Sequence, residues 1–339
     1  MQVTYPKIQQ LPDGTPRPIW SVMIPTYNGT QYLEQTLRSV LDQDPGLDQM
    51  QIEIVDDCST KDDPRALVEE IGQGRITFFR QPRNVGLIEN WNTCIQRAKG
   101  HWVHILHQDD LVLPGFYERL ASASDPMSSV GAAFCRHEYI DQGGNRLFSS
   151  LLERETPGVL LNWLPLIAIM QRVQCPSIMV KRSTYEQIGG YCPEARSAAD
   201  WEMWKRIAAH HLIWYEPEIL AYFRWHSASE SSTLIKTGTN IIDTRRAIKI
   251  SEAYLPDVIA KELTQKAKEH YASSAMSRAK GLIDAGQIRA ALNQVREAFR
   301  CSFSLRVVRS LFQLFKRFVK RILSQLGIWS FERSSTSSS

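Results

Sequence analysis

The sequence lacks an apolar run long enough to cross a lipid bilayer. The most apolar stretch, Val159 to Met170, is interrupted by Asn162 and Pro165. It is shorter than the ~20 residues that a spanning helix needs. Residues 1–18 are polar and contain proline, so they lack the apolar core of a secretory signal. These absences predict a cytoplasmic chain that does not span a membrane, with residues 1–18 as an N-terminal extension.

The chain also lacks cysteine motifs, and it lacks excess positive charge outside its last 39 residues. The six cysteines are scattered, with no C-x-x-C and no cysteine–histidine cluster at zinc spacing, so reduced thiols are the simplest interpretation. The net charge of +4 is uneven, because residues 301–339 contain seven basic residues and one acid, which leaves −2 for the rest. A body without excess positive charge gives no electrostatic case for nucleic-acid binding.

No glycine-rich phosphate loop follows the first predicted strand. That strand, Ile19 to Ile24, ends at Pro25-Thr26-Tyr27-Asn28-Gly29, which matches neither G-x-G-x-x-G nor the Walker pattern. A diphosphate bound at this edge would therefore need its charge offset by a metal ion rather than by a backbone cradle.

The chain does contain strands that alternate with helical patterns. Four strands are predicted in the first third: Ile19–Ile24, Ile52–Val55, Arg75–Phe79 and His101–Leu106. Amphipathic helical patterns separate them, which predicts βαβ units and a mostly parallel sheet with flanking helices. Beyond Ser232 the apolar residues recur only at helical spacing, which predicts a C-terminal α-helical extension.

Paired carboxylates follow two of these strands. Asp109 and Asp110 come after the fourth strand, and Asp56 and Asp57 come after the second. Ligands of open α/β sheets bind beyond the carboxyl ends of strands, where an acid can contact a ribose. Hard cations prefer oxygen ligands. Helix capping, turn formation or plain solvation is the alternative interpretation of each pair.

Four motifs in this order resemble those of the family 2 glycosyltransferases. They are Pro25-Thr26-Tyr27-Asn28, Ile54-Val55-Asp56-Asp57-Cys58-Ser59-Thr60, Asn84-Val85-Gly86, and His107-Gln108-Asp109-Asp110 with Pro114. The resemblance implies an α/β GT-A fold, which is the Rossmann-like fold of nucleotide-diphospho-sugar transferases. It also implies an inverting enzyme that uses nucleotide-activated sugars.

The resemblance also implies roles for individual residues. The nucleotide-sugar site would comprise Pro25, Thr26, Tyr27, Asp56, Asp57, Arg83, Asn84 and Asp109. Asp110 would ligate Mg²⁺ or Mn²⁺ on the diphosphate. Gln108 stands where the family usually has the first acid of its D-x-D signature, so Gln108 is not expected to bind the metal as a carboxylate would.

Two further segments extend the resemblance. Asp200 and Trp201 open a helical pattern and resemble the acid-Asp-Trp segment of the family, which implies that Asp200 is the catalytic base. The preceding family acid is Ala199 here, and a helix cap is the alternative role for Asp200. Arg224 and His226 resemble an Arg-x-His motif, which implies that His226 contacts the diphosphate or the metal. A structural histidine remains the alternative.

The last helical pattern is basic and amphipathic. Its apolar stripe comprises Val308, Leu311, Phe312, Phe315, Val319, Ile322 and Leu326. Basic residues lie mostly on the other side, which suits an anionic membrane interface. Docking on the chain's own domain, with a solvated basic face, is the alternative. Residues 331–339 are predicted to be a disordered tail.

The sequence thus predicts a catalytic domain over residues 19–232 and a helical region over 233–330. The predicted activity is metal-dependent, inverting transfer from a UDP-, GDP- or dTDP-sugar to a hydroxyl of a glycan or lipid-linked acceptor. The predicted role is polysaccharide or glycolipid synthesis for the cell envelope, with peripheral contact at the inner face of the plasma membrane. One alternative is a sugar nucleotidyltransferase, which usually needs a glycine-rich, basic phosphate loop. The other is a non-catalytic module of the same fold that binds glycans or nucleotide sugars.

Overall fold

The computed structural model describes residues 3–121, 129–226 and 230–325. The strands are β1 Trp20–Thr26, β2 Met50–Asp56, β3 Thr77–Arg80, β4 Trp102–Ile105, β5 Leu111–Val112, β6 Val130–Ile140, β7 Arg146–Ser149, β8 Gly158–Leu160, β9 Ile178–Lys181 and β10 Leu212–Arg224. The helices are α1 Thr30–Leu41, α2 Pro64–Gly72, α3 Leu87–Arg97, α4 Phe116–Leu120, α5 Leu164–Ile169, α6 Arg182–Ile188, α7 Ala199–His210, α8 Glu230–Thr237, α9 Thr239–Ser251, α10 Asp257–Asp284, α11 Ile288–Cys301 and α12 Leu305–Gln325.

One mixed sheet organises the first two thirds of the chain. Its strand order is β3-β2-β1-β4-β9-β6-β10-β5. The first four strands are parallel, as the alternation of strands and helices predicts. Strand β9 is antiparallel to both of its neighbours and joins that parallel half to β6 and β10. The carboxyl ends of β1, β2 and β4 therefore share one edge, and the predicted donor-site motifs lie along it.

The sheet separates two apolar cores. Along β1, Val22 and Ile24 pack into one core and Met23 packs into the other, because successive side chains of a strand point to opposite faces. The first core lies under α1 and α2. The second contains α3, α7 and residues of α9, α10 and α11. The C-terminal helices therefore share a core with the sheet rather than forming a separate unit.

The N-terminal extension also packs against the sheet domain. Ile8 is fully buried, and the Gly190 amide donates to the Pro6 carbonyl at 2.8 Å. The Arg182 guanidinium donates to the Gln9 carbonyl at 3.1 Å. The Gln96 side chain of α3 donates to the Lys7 carbonyl at 2.8 Å. Residues 3–18 thus contact both α6 and α3, although the sequence offered no packing role for them.

Two features were not anticipated. The segment between Leu111 and Gln174, in which the sequence predicted no elements, contains the long buried strand β6 and two short strands that pair with β6 and β10. Within the described ranges, none of the helices is both long enough and apolar enough to span a bilayer. The tail predicted to be disordered, residues 331–339, lies outside those ranges, as does Leu326 of the apolar stripe.

Candidate functional site

The loops after β1 and β2 are tied together through Asn28. The residue adopts a left-handed conformation, with φ of 49°, which asparagine tolerates better than most residues. Its side-chain oxygen accepts from the Thr60 and Lys61 amides at 2.9 Å each. Its own amide donates to the Ser59 hydroxyl at 2.9 Å. The two predicted donor-site motifs therefore form one rigid corner of the sheet edge.

The carboxylates of Asp56 and Asp57 are both buried and hold loops in place. Asp56 accepts from the Ser59 hydroxyl at 2.5 Å and from the Arg80 guanidinium at 2.6 Å. Asp57 accepts from the amides of Val85 and Gly86 at 2.6 and 2.9 Å. Burial raises the pKa of Asp57, against the lowering effect of those two amides. These bonds order the loop that carries Arg83 and Asn84.

The remaining predicted donor-site residues lie around this corner. Pro25 and Thr26 are buried at the end of β1, whereas the Tyr27 side chain is exposed. Arg83 and Asn84 are exposed, and the Asn84 side chain donates to the Asp57 carbonyl at 3.3 Å. Tyr27, Arg83 and Asn84 thus have exposed side chains that a ligand can reach.

Gln108, at the position of the usual family acid, bridges the loops after β1 and β4. Its side-chain oxygen accepts from the Tyr27 amide at 2.9 Å, and its amide nitrogen donates to the Tyr27 carbonyl at 3.3 Å. A carboxylate can accept but not donate when ionised, so an acid could make only the first bond. A Cβ added at Gly29 would lie 2.0 Å from the Gln108 side-chain amide, so a larger residue there would displace the Gln108 side chain from these bonds.

Asp110, which the sequence assigns to the metal, is almost completely enclosed. Its side chain is 1% exposed, and one oxygen accepts from the Arg224 amide at 2.9 Å. The other oxygen has no hydrogen-bond partner among the described residues and lies 3.7 Å from His107 Nδ1. Burial raises the pKa of Asp110 well above its usual range, with a further contribution from Asp109. Asp110 therefore joins the end of β10 to the loop between β4 and β5 and is shielded from solvent.

Asp109 and His226 meet at the open side of the same edge. Asp109 Oδ2 lies 3.1 Å from His226 Nε2, and the two side chains are 24% and 14% exposed. Arg224 supports the pair, because its guanidinium donates to the Asp109 carbonyl at 2.9 Å and to the Gln35 side chain at 2.8 Å. The same guanidinium lies over the Tyr32 ring at 4.4 Å. The geometry thus offers one carboxylate oxygen and one imidazole nitrogen to a ligand.

This pair fits a cation that is shared with a substrate. No group of three or more histidine, cysteine, aspartate or glutamate side chains in residues 3–121, 129–226 and 230–325 is arranged to hold a metal by itself. Mg²⁺ in phosphate-handling sites is usually held by one or two carboxylates plus substrate phosphates and water. The donor set of Asp109 and His226 matches that kind of incomplete site.

Asp200 lies in the first turn of α7. Ala198 rather than Asp200 occupies the N-cap position. The Asp200 carboxylate accepts from the Trp201 amide at 2.6 Å and from the Gln171 side chain at 2.7 Å. Burial raises its pKa to about 6, despite both of these bonds. A carboxyl with such a pKa is suited to taking a proton near neutral pH.

Two residues connect the Asp200 region with the strand-end carboxylates. Tyr139 on β6 and Cys175 before β9 both have pKa values raised mainly by burial. The charges of Asp200 and Asp110 each raise both of these pKa values further. The predicted base and the predicted diphosphate anchor therefore belong to one neighbourhood.

Sequence reasoning missed several residues that build this site. Gln171 and Tyr139 lie in the segment where the sequence predicted no elements, and Tyr271 lies on α10, about 70 positions after Asp200. Arg80 was not singled out because a basic residue that ends a strand carries no specific signal. Only the fold brings these residues to the site.

Comparisons with known proteins are consistent with this geometry. The family model described as "Glycosyl transferase family 2" matches residues 21–187. An uncharacterized protein of Mycobacterium tuberculosis is 30% identical over 252 residues, which cover 68% of this chain and 75% of that protein. TuaG of Bacillus subtilis, a putative teichuronic acid biosynthesis glycosyltransferase, is 36% identical over 96 residues, or 28% of this chain and 37% of TuaG.

Solved structures share the fold at low sequence identity. Residues 1–349 of S. aureus TarS in complex with UDP-GlcNAc superpose with a TM-score of 0.61 at 17% identity, covering 91% of this chain and 92% of that one. The mannosyltransferase PcManGT of Pyrobaculum calidifontis, in complex with GDP-Man and Mn²⁺, gives 0.55 at 16% identity, covering 94% and 86%. The sequence match and the GT-A architecture agree: this chain is a glycosyltransferase and belongs to glycosyl transferase family 2.

Proposed function

We propose that this glycosyltransferase moves a sugar, with inversion at the anomeric carbon, from a nucleotide-diphosphate sugar to an acceptor hydroxyl. The observation that carries the proposal is the half-buried Asp200 carboxyl, whose pKa is raised to about 6, in the same neighbourhood as the strand-end carboxylate Asp110. Inversion requires a single displacement, in which one carboxylate accepts the proton of the attacking hydroxyl.

In the proposed reaction the acceptor hydroxyl attacks the anomeric carbon and its proton passes to Asp200. The bond from the anomeric carbon to the diphosphate oxygen breaks, and the nucleoside diphosphate leaves. Asp200 is suited to the role because its carboxylate is already oriented by the Trp201 amide and the Gln171 side chain. An oriented base contributes typically ~10²–10⁴-fold to a rate.

The donor nucleotide is proposed to lie along the edge formed by β1, β2 and β4. Tyr27, Arg83 and Asn84 supply the exposed contacts, while Pro25 and Thr26 shape the end of β1 beneath them. Asp56 and Asp57 form the floor of the nucleoside pocket by fixing the surrounding loops. The sequence assigned Asp56 and Asp57 to direct contact with the nucleotide sugar; the proposal instead has them support the loops around it.

A divalent cation is proposed to be held by Asp109 and His226 rather than by Asp110. Asp109 is partly exposed and faces the imidazole, whereas Asp110 is enclosed and already accepts a backbone amide. A bound Mg²⁺ or Mn²⁺ would offset charge on the departing diphosphate. The Mn²⁺ in the PcManGT complex supports the use of a divalent cation without fixing which ion serves this chain.

A donor screen tests the proposed function. Purified protein is incubated with UDP-, GDP- and dTDP-sugars and a panel of alkyl-glycoside acceptors, and the released nucleoside diphosphate is measured with and without EDTA. We expect release from one nucleotide class, loss of release with EDTA, and a product anomer opposite to that of the donor by NMR. Retained configuration would contradict inversion, and activity in EDTA would contradict the metal role. Binding without release from any donor would instead favour the non-catalytic binding module.

The acceptor is proposed to be a glycan or lipid-linked glycan of the cell envelope, met at the inner face of the plasma membrane. The name of TuaG supports the envelope role. The outer face of α12 supports the location. This helix packs through Val307 and Leu314, and the Arg317 guanidinium pairs with the Asp284 carboxylate. The docked helix nevertheless leaves Phe312 and Phe315 65% and 64% exposed.

The exposed face of α12 is divided lengthwise into an apolar strip and a basic strip. At 3.6 residues per turn, Leu305, Phe312 and Phe315 lie along one side of the exposed face. Arg309 and Lys316 lie beside them, and both are exposed. Apolar side chains that enter the lipid next to cations that meet anionic head groups characterise an interfacial helix. Both interpretations of the last helix, docking and membrane contact, are therefore combined in the proposal.

Replacing Phe312 and Phe315 together by Ser is expected to weaken binding to anionic vesicles at least ~10-fold, because two buried phenyl groups contribute on the order of 3–6 kcal/mol. The measurement is flotation with phosphatidylglycerol-containing liposomes, compared with phosphatidylcholine liposomes. Val258→Ser combined with Leu292→Ser, two exposed apolar side chains of the same helical region, is the matched control. Equal flotation of the Phe312/Phe315 variant and wild type would exclude this face, and failure of wild type to float would exclude membrane contact.

A further inference from the structure

The helical region reaches the predicted base through two hydrogen bonds. Tyr271 lies on α10, and its hydroxyl oxygen accepts from the Gln171 backbone amide at 2.9 Å. The Gln171 side chain in turn donates to Asp200 Oδ2 at 2.7 Å. Gln171 thus has its backbone held by the helical region and its amide nitrogen placed on the carboxylate.

Ring packing reinforces the same connection. The Tyr271 ring lies against the Trp201 ring, with centroids 4.9 Å apart, and the Trp201 indole donates to the Ile167 carbonyl at 2.7 Å. Trp201 is the residue whose amide donates to the other Asp200 oxygen. One aromatic side chain of α10 therefore contacts both of the residues that orient the carboxylate.

We infer that Gln171 and Tyr271 are positioning residues for Asp200, so that the C-terminal helical region is a working part of the catalytic site. The inference rests on the proposed role of Asp200 as the base. Gln171 acts directly on the carboxylate, and Tyr271 acts through the Gln171 backbone and the Trp201 ring. The segment that the family model matches ends at residue 187, before both Asp200 and Tyr271.

The surroundings of Asp200 make Gln171 influential. The titratable side chains influenced by the Asp200 charge are three phenols and one thiol: Tyr139, Tyr191, Tyr271 and Cys175. Burial raises the pKa of each, so all four are neutral near pH 7. Among the described residues, no ionised side chain shifts the pKa of Asp200. Desolvation raises this pKa, and the hydrogen bonds to the carboxylate are what lower it.

The test is the pH dependence of kcat in a purified full-length enzyme with a donor found by the screen. The wild-type rate is expected to fall below a pH of about 6, because the base is then protonated. Gln171→Leu removes a hydrogen bond that lowers the pKa of Asp200. The acid limb of its pH–rate profile, where kcat falls at low pH, should therefore move to higher pH by roughly one unit. Tyr271→Phe keeps the ring but loses the hydroxyl, so it should lower kcat and move the limb in the same direction by less.

A second tyrosine of the helical region provides the control. The Tyr254 hydroxyl donates to the Glu202 carbonyl of α7 at 3.1 Å, so Tyr254→Phe removes a comparable bond that does not involve Asp200, Gln171 or Trp201 and should leave the limb unmoved. All three variants should bind UDP or GDP with Mn²⁺ as wild type does and keep their KM for the donor. Gln171→Glu should not restore the wild-type pH profile that Gln171→Leu loses, because a second carboxylate raises the pKa of Asp200 further.

The outcomes separate the inference from the proposed function. If Asp200→Asn is inactive but Gln171→Leu keeps the wild-type acid limb, the positioning role of Gln171 is wrong, while the proposed role of Asp200 as the base is retained. An equal shift in Tyr254→Phe and Tyr271→Phe would reduce the effect to general packing and overturn the inference. Full activity of Asp200→Asn would overturn both.

Discussion

Asp200→Asn is expected to lower kcat by roughly 10²–10⁴-fold, the usual contribution of a general base. Asparagine has nearly the same shape and can still accept from the Trp201 amide, as the carboxylate does at 2.6 Å. The variant should therefore fold and bind nucleoside diphosphate with Mn²⁺ normally while losing proton transfer. The measurement is single-donor kinetics over pH 5 to 9, in which the residual rate of the variant should no longer fall below a pH of about 6.

Asp257→Asn is a suitable control for this experiment. Asp257 is an exposed acid in the first turn of α10, in the helical region, and its replacement should leave kcat within twofold of wild type. A wild-type rate for Asp200→Asn would exclude Asp200 as the base. A purely structural role for Asp200 predicts a different pattern, namely a lower melting temperature with unchanged kcat.

Asp109→Asn should abolish metal-dependent nucleotide binding, whereas Asp110→Asn should largely preserve it. Loss of a metal that stabilises charge on a leaving group is worth several kcal/mol, or about 10³-fold in rate. An asparagine at position 110 can still accept from the Arg224 amide, which is the bond that the structure shows at 2.9 Å. Isothermal titration of UDP and GDP with and without MnCl₂ measures both variants against wild type.

The two carboxylates are matched controls for each other, because they are adjacent in sequence and differ mainly in exposure. His226→Ala should reproduce the Asp109→Asn result with a smaller loss, since the imidazole is the second side chain of the proposed pair. The reverse pattern, in which Asp110→Asn loses Mn²⁺-dependent binding and Asp109→Asn keeps it, would return the metal to Asp110 as the sequence predicts.

The parallel half of the sheet was readable because its strands are mainly apolar runs that end in turn residues or carboxylates. The predicted strand Ile52–Val55, for example, lies within the observed β2. Strand β6 was not read from the sequence, although all but two of its residues, Arg136 and Tyr139, are buried. Its polar members, including His137 and Glu138, interrupt the apolar pattern. Both residues pair with β10, and Glu138 also pairs with β7.

The prediction of site residues was also limited, because side-chain contacts depend on the fold. The positions of Asp57, Asp109 and Asp110 after predicted strands indicated one sheet edge, and the family resemblance added Asp200. Neither could distinguish a carboxylate that is open to a ligand from one that holds a loop. That distinction depends on which backbone amides lie within reach, such as those of Val85 and Arg224. Gln171 and Tyr271 lacked any sequence signal because each acts through a contact with a residue distant in the chain.

The core that the sheet shares with the C-terminal helices has a consequence during synthesis on the ribosome. Trp201 and Ile207 of α7 bury their apolar surfaces in a cluster that also contains Ala272, Ala275 and Met276 of α10. Until those residues have left the exit tunnel, the nascent chain exposes that side of α7 and is open to aggregation or chaperone binding. The surroundings of the proposed base, Asp200, are completed only after Tyr271 of α10 has been made, so on this proposal a newly made molecule becomes active only after translation has passed α10.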